Sequence, residues 1–533
     1  MDSIKLKLFG SINDPIHGSI KMSTEEMNVI GHPLFRRLHH VRQNSFLYKV
    51  FPSAKHTRFE HSIGVMHVAS KILSALLLNG ESASKAGDLA ELESLEEKLR
   101  RVMGLGFNLT NIMKEEEVIQ MYREVRLAAL LHDIGHGPLS HLFDAFAPTT
   151  EEFLEILKSD TNLKTGYPMV LEAFEKMLID YKYEKTKEAE NKVTIEHEHV
   201  SSYFTYRILN TLEIKGEEEK KDLINNVLTI LKPKLALGKK IIEIDGMEID
   251  VLPLLNDIVA GAPIDCDRMD YLKRDSYFAG VPYGNYSEDR ILKSFLPFIS
   301  LTGEHAVARL GLKHSGLHSI ENFLQARYEM FVQVYGHKTN EACNFMLNSL
   351  VEKEKEKKDF KIWAGIKLEH NEFESLYVNL TDETFLEKLS KNLEPEGKKI
   401  VSCLIDRKLW KRVYETEEFV ETHEQNPQLE SIMEKAIKKF NKDDDTLRLF
   451  KGDRFPLKDF ENAAKILEKN SYSYYVVSQT PLNKASQIIE SLNKGLRVWR
   501  IYSLKQKTEV VSKLAKKEIH PQIKNLKDSG IVK

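Results

Sequence analysis

The residues best suited to do chemistry are His132 and Asp133. They close the apolar run Leu127-Ala128-Ala129-Leu130-Leu131 and are followed by Ile134-Gly135-His136-Gly137-Pro138-Leu139-Ser140-His141. Neighbours on a regular helix point about 100° apart, so an adjacent His and Asp share a target only where the helix ends or distorts. Gly135, Gly137 and Pro138 supply such a place. A neutral imidazole nitrogen beside a carboxylate oxygen is ligand chemistry for a divalent cation. Taken alone, a His-Asp dipeptide is more often a solvated helix end.

Other blocks carry the same chemistry. Thr57-Arg58-Phe59-Glu60-His61-Ser62 puts a histidine at the head of a second apolar run, Ile63 to Leu78. Far downstream, Ile264-Asp265-Cys266-Asp267-Arg268-Met269-Asp270-Tyr271-Leu272-Lys273-Arg274-Asp275 offers several carboxylates, with Asp265, Asp267 and Asp270 all eligible as ligands.

In this order the blocks resemble the HD-domain superfamily of metal-dependent phosphohydrolases, whose pattern is H…HD…D, and more closely its deoxynucleoside triphosphate (dNTP) triphosphohydrolase branch. The likeness covers roughly the first 340 residues and is weaker beyond. It implies a metal set of His61, His132, Asp133 and Asp267. Asp267 is preferred because it fits the family's order of Asp, basic residue, one residue, Asp, Tyr. Two imidazoles and two carboxylates suit one divalent ion per site, with manganese, iron, magnesium, zinc and nickel all eligible and a second magnesium arriving with the triphosphate. Such an ion polarises a phosphate and makes hydroxide available near neutral pH.

The departing 5′-oxygen also needs a proton. His141 is the candidate general acid, with Asp144 three residues on to fix its tautomer and raise its pKa. His136 and His197 are assigned to the phosphates, with His199 as the alternative to His197. Triphosphate carries about four negative charges, so cations must line the pocket. By resemblance these are Arg58, Arg268 (where the family more often has lysine) and Arg327. Gln43, Tyr271, Asp275 and Tyr335 match sugar-contacting positions, the tyrosines forming a wall against a 2′-hydroxyl. Asn13 matches a regulatory nucleotide contact. Gly31 and His39 stand where the vertebrate member has an aspartate and an arginine that read guanine, so regulation by those contacts is not expected here.

The implied reaction is metal-dependent cleavage of the 5′-O–Pα ester, giving deoxynucleoside and inorganic triphosphate. An HD-type nuclease or nucleotide phosphodiesterase is the alternative, and a non-catalytic nucleotide or nucleic-acid regulator the third reading. An allosteric nucleotide, single-stranded nucleic acid and a homodimeric or homotetrameric assembly are the expected partners.

The elements that must position these residues are mainly helical. The chain has 533 residues, 42% hydrophobic and 29% charged, with a net charge of -3 that gives no general pull towards nucleic acid or membrane. Cys266, Cys343 and Cys403 are far apart, which argues against a disulfide scaffold or a thiolate zinc site. No signal peptide and no membrane-spanning window are expected, and the location is expected to be cytoplasmic.

Residues 1–50 are read as an N-terminal segment with turn chemistry at Asn13–Gly18 and a helix from Leu34 to Val41. Residues 51–350 form the HD core, with helices at 61–78 and 118–131, further helices over 150–230 and one long helix over 318–350. A charged insert at about 82–117 carries an amphipathic helix on Leu89, Leu92, Leu95 and Leu99. Residues 351–533 are read as a smaller α+β region with a charge run at 352–358, strands near 472–477 and 496–502, and a basic tail.

Overall fold

The computed structural model describes residues 7–79, 106–107, 109, 113–186, 193–244, 247–302, 305–354, 367, 369–420, 427–440, 447–454, 465–469, 475–478, 480–492, 495–504, 517, 519–521 and 524. The expected insert helix, the side chains of the charge run, residues 472–474 and most of the basic tail lie outside them.

The fold is mainly α, with small sheets. The chain opens on an antiparallel hairpin, β1 (Leu8–Asp14) and β2 (Gly18–Ser23), with Asn13 facing Ser19 and Asp14 facing Gly18. Asp14 Oδ1 accepts from the Ile16 and His17 amides at 2.9 Å each, and Gly18 at φ +72° completes the turn. The helix expected over 34–41 is one turn, Pro33–Arg36, which continues as a 3-10 turn over Arg37–His40.

Two core helices follow, α1 (Arg58–Asn79) and α2 (Glu115–Leu131), packed against each other. Contrary to the expectation that no window reaches membrane-spanning length, α1 is long and apolar enough to cross a membrane. Its most apolar window is 72% buried inside the protein, so it serves here as a core helix. α3 (His197–Thr211) and α4 (Cys266–Ala279) complete the cradle. The long helix expected over 318–350 is broken. α5 (Leu317–Glu329) runs into a π-helical turn, Met330–Tyr335, and α6 (Lys338–Glu354) starts after Gly336 and His337.

The C-terminal part contains α7 (Asp382–Asn392) and a sheet of β7 (Lys411–Val420), β11 (Gly495–Ser503) and β8 (Leu447–Arg454), in that order. Helix α6 runs across the boundary expected near 350 as far as Glu354. A second sheet runs β10 (Tyr475–Val477), β9 (Lys465–Lys469), β6 (His305–Lys313), β4 (Met247–Asp250), β3 (Ile241–Ile244), with β5 (Phe295–Thr302) also paired to β6. β9 lies parallel to β6, so late strands are built into the sheet of the core.

Candidate metal centre and catalytic cleft

The run Leu127–Leu131 is fully buried and delivers His132 to the C-terminal end of α2. The next turn brings Asp133 round to the same target. Gly135 is required there: a Cβ would meet the His197 carbonyl and the Ser201 amide at 2.2 Å each. His61 sits in the first turns of α1, and Asp267 in the first turn of α4, which Asp265 caps by accepting from the Arg268 amide at 2.7 Å.

The four predicted ligands converge. His61 Nε2 is 3.0 Å from Asp267 Oδ1 and 3.6 Å from Asp133 Oδ2; His132 Nε2 is 3.4 Å from Asp133 Oδ1 and 3.6 Å from Asp267 Oδ1. Both Nε2 atoms are buried without a hydrogen-bond partner. Their other ring nitrogens are engaged, His61 Nδ1 with Asp270 Oδ2 and His132 Nδ1 with the Ala129 carbonyl, each at 2.8 Å. With the proton on Nδ1, each Nε2 lone pair faces its neighbours, which is how protein histidines are set for a metal.

Burial alone would raise the Asp267 carboxyl, but the adjoining imidazoles of His132 and His61 hold it below its ordinary value. Asp133 is likewise kept ionised against burial, first by Arg58 and then by His132. Two ionised carboxylates against two orphaned imidazole nitrogens fit a divalent cation. Asp270 and Asp265 are engaged outside this cluster. Asp270 faces the far side of His61, where it also takes His17 Nε2 at 2.6 Å and Arg274 Nε and Nη2 at 2.8 and 2.9 Å, and Arg274 Nη1 reaches Asp14 at 2.7 Å. Gly64 leaves room for this network, since a Cβ there would lie 2.0 Å from Asp270 Oδ1.

A cleft of about 530 Å³ opens beside the ligands, lined among others by Gln43, Arg58, Asp133, His136, His141, His197, Asp267, Tyr271, Asp275 and Tyr335. Arg58 pairs with Asp133 and donates to Ser140 Oγ at 3.0 Å. The rings of His136 and His197 stack at 3.6 Å, with His141 edge-on to both at 4.9 Å. His197, rather than His199, is the cleft residue; His199 Nδ1 accepts from the Glu196 amide at 3.1 Å and supports the start of α3.

Several assignments change. Asp144 bonds His197 Nδ1 at 3.1 Å and lies 4.0 Å from His141, so it orients His197. The pKa of His141 is pushed down, not up, by the surrounding protein and by the charges of His197 and Arg58. Its side chain is 74% exposed, and the solvent it meets moderates that push. Arg268 pairs with Asp265 and donates to the Gly261 carbonyl at 3.1 Å, and it is not among the residues lining the cleft. Arg327 is also outside the lining, yet its Nε and Nη1 are buried without a partner. Both oxygens of Asp275 are occupied, by His56 Nε2 and by the Tyr335 hydroxyl at 2.6 Å each, so Asp275 positions Tyr335. Asn13 is exposed on β1, away from the cleft lining.

The sequence reading missed Asn44, Phe331, Asn340 and Asn344 in the lining, and Ser140, which ties Arg58 to the Arg42 and Gln43 carbonyls. No local pattern marks these amides. Ser140 could have been taken from its place between the metal pair and His141.

Residues 304–528 match the family described as HD associated region. The chain is 27% identical over 351 residues to a protein of Methanocaldococcus jannaschii, covering 66% of this chain and 51% of the relative. It is 37% identical over 133 residues to the human deoxynucleoside triphosphate triphosphohydrolase SAMHD1, covering 25% of this chain and 16% of that protein. The chain therefore spans about half the length of the first of these relatives and 16% of the second. The crystal structure of a phosphohydrolase from Bacteroides thetaiotaomicron shares the fold, with a TM-score of 0.54, 22% identity, and coverage of 93% of this chain and 99% of that one.

Proposed function

From a chain that resembles the HD-domain phosphohydrolases and their dNTP-hydrolysing members, we propose a metal-dependent dNTP triphosphohydrolase that cleaves the 5′-O–Pα ester and releases deoxynucleoside and inorganic triphosphate. The observation that carries this reading is the pair of orphaned Nε2 atoms of His61 and His132. They face Asp133 and Asp267 at the wall of a cleft that also holds Arg58, three histidines and two tyrosines.

His61, His132, Asp133 and Asp267 would hold the ion, which supplies charge to the phosphate and a nucleophilic water at neutral pH. Arg58 binds a phosphate oxygen while its other branch stays on Ser140, so the fork is held in one orientation. Burial and the Arg58 and His197 charges keep His136 neutral, and it donates or accepts a hydrogen bond at the phosphates without carrying charge. His141 takes up a proton as the anionic triphosphate enters and delivers it to the leaving 5′-oxygen. Tyr335, fixed by Asp275, and Tyr271, with ring centroids 6.4 Å apart, form the wall that excludes a 2′-hydroxyl.

Nucleotide activation and a dimeric or tetrameric assembly belong to the same proposal. Chromatography of products from each dNTP, singly and mixed, with manganese or magnesium, tests it. Deoxynucleoside plus triphosphate, absent with Asp133→Ala, is the expected result. Monophosphate would shift the reading to a phosphodiesterase or nuclease, and bound nucleotide without turnover to a regulator. Light scattering with and without nucleotide reads the assembly.

A further inference from the structure

The catalytic segment does not hold its own shape. Leu139 and Ser140, just before His141, both lie in the left-handed region at φ 60° and 57°. Side chains other than glycine persist there only when the surroundings fix them, and two in succession is more costly than one. The fixing group comes from the region beyond residue 350. Asp382, at the start of α7 and 1% exposed, accepts from the Leu139 amide at 2.8 Å through Oδ1. Its Oδ2 accepts from the Arg42 amide and from Arg42 Nη1, each at 3.2 Å. Burial pushes its carboxyl up to about 6, which leaves it largely ionised at neutral pH and a strong acceptor.

The two strands of chain joined in this way both line the cleft. Arg42 precedes Gln43 and Asn44, and Ser140 bonds the Arg42 and Gln43 carbonyls at 3.1 and 2.9 Å while receiving Arg58. Ser45 Oγ adds a bond to the Leu139 carbonyl at 2.7 Å. Asp382 is not itself among the residues lining the cleft.

We propose that Asp382 is a positioning residue: it clamps the left-handed Leu139–Ser140 turn to the Arg42–Ser45 segment and so sets where His141 and Arg58 stand. The HD associated region is then a structural part of the catalytic loop. The inference uses the proposed dNTP reaction only as one of two readouts.

The test compares Asp382→Ala, Asp382→Asn and Glu383→Gln by amide hydrogen exchange and by steady-state kinetics. Losing a bond to an ionised acceptor is expected to speed exchange at residues 137–142 in Asp382→Ala by about tenfold to a hundredfold. The kcat falls by a similar factor, while KM and the manganese half-saturation stay within about threefold. Asp382→Asn keeps an acceptor for the Leu139 amide and recovers most of both. Glu383→Gln, which alters only the 62%-exposed partner of Arg42, behaves as wild type. Should the alanine variant not fold, Asp382→Ser pulls the acceptor oxygen back from the Leu139 amide and removes its charge while keeping a polar group in place.

Unchanged exchange at 137–142 would overturn the proposal. So would a loss of protection spread evenly through the core, which would make Asp382 a general scaffold residue. A wild type that hydrolyses no dNTP defeats the reaction assigned above and leaves the exchange readout to decide this one.

Discussion

Replacing Asp270 by alanine should separate a residue that orients a ligand from one that binds the ion. Asp270 is fully buried and accepts bonds from His61 Nδ1, His17 and twice from Arg274. Two costs follow. The His61 ring loses the bond that fixes its tautomer, and loss of such a partner lowers metal affinity about 10- to 100-fold, or roughly 1.4–2.7 kcal/mol. Arg274, itself fully buried, keeps only its contact with Asp14, and breaking a buried pair on one side costs about 3–5 kcal/mol of stability.

The two effects can be read apart. At a metal concentration 100 times the wild-type Kd, binding adds about 2.7 kcal/mol to the native state; if Kd rises 100-fold, the same concentration adds only about 0.4 kcal/mol. Urea unfolding with and without manganese measures this difference directly, and calorimetric titration measures Kd. Asp267→Ala serves as the reference for a lost ligand, with binding expected to fall more than about 1,000-fold on the scale of ligand over supporting partner. A manganese Kd within threefold of wild type would refute the orienting role of Asp270. A loss as complete as that of Asp267→Ala would make Asp270 a ligand.

Three further outcomes are expected. Arg58→Lys, which replaces a fork spanning Asp133 and Ser140 with a point charge, should lower kcat/KM about 100-fold with metal content unchanged, measured by turnover and by metal analysis. Tyr335→Phe removes the bond to Asp275 and should raise KM about tenfold, while kcat stays within about threefold, read from initial rates against the dNTP. Burial and Lys232 push His199 down to about 4, so it is neutral when folded and ordinary when unfolded. Its stabilising effect is complete above the unfolded value of 6.5 and is lost as pH falls from there towards 4. Urea midpoints across that window should fall less steeply for His199→Gln than for wild type.

The cluster that could hold a metal was legible because each of its residues sits in a short local block: a histidine heading an apolar run, a His-Asp pair before glycines, and an aspartate in the first turn of α4. Position along a helix also separates Asp267 from Asp270 once the helix is seen: the two share a face about 4.5 Å apart along the axis, so Asp267 meets His61 Nε2 and Asp270 meets its Nδ1. Other features depend on contacts between distant parts of the chain. The apolar pattern continues through Met330–Tyr335, so the π turn and the break at Gly336 leave no trace in it. The parallel pairing of β9 with β6 joins segments more than a hundred residues apart, on either side of the boundary expected near 350. Asp382 looks like an ordinary first-turn acidic residue of a helix, since its role is set by two amides far upstream. The pKa of His141 depends likewise on distant groups: burial and the charges of His197 and Arg58 outweigh the nearby Asp144.

The bond between His17 and Asp270 links residues 253 positions apart, and it has a consequence in time. At about 5–20 residues per second, a ribosome that has made the hairpin needs roughly 13–50 s more to reach its partner. Throughout that interval His61 is without the carboxylate that sets its tautomer, and His132 and Asp133 are without Asp267. The nascent chain therefore carries an incomplete centre with little grip on any cation. Any ion the four residues hold can be chosen only once residue 270, just past the midpoint of the 533-residue chain, has been made.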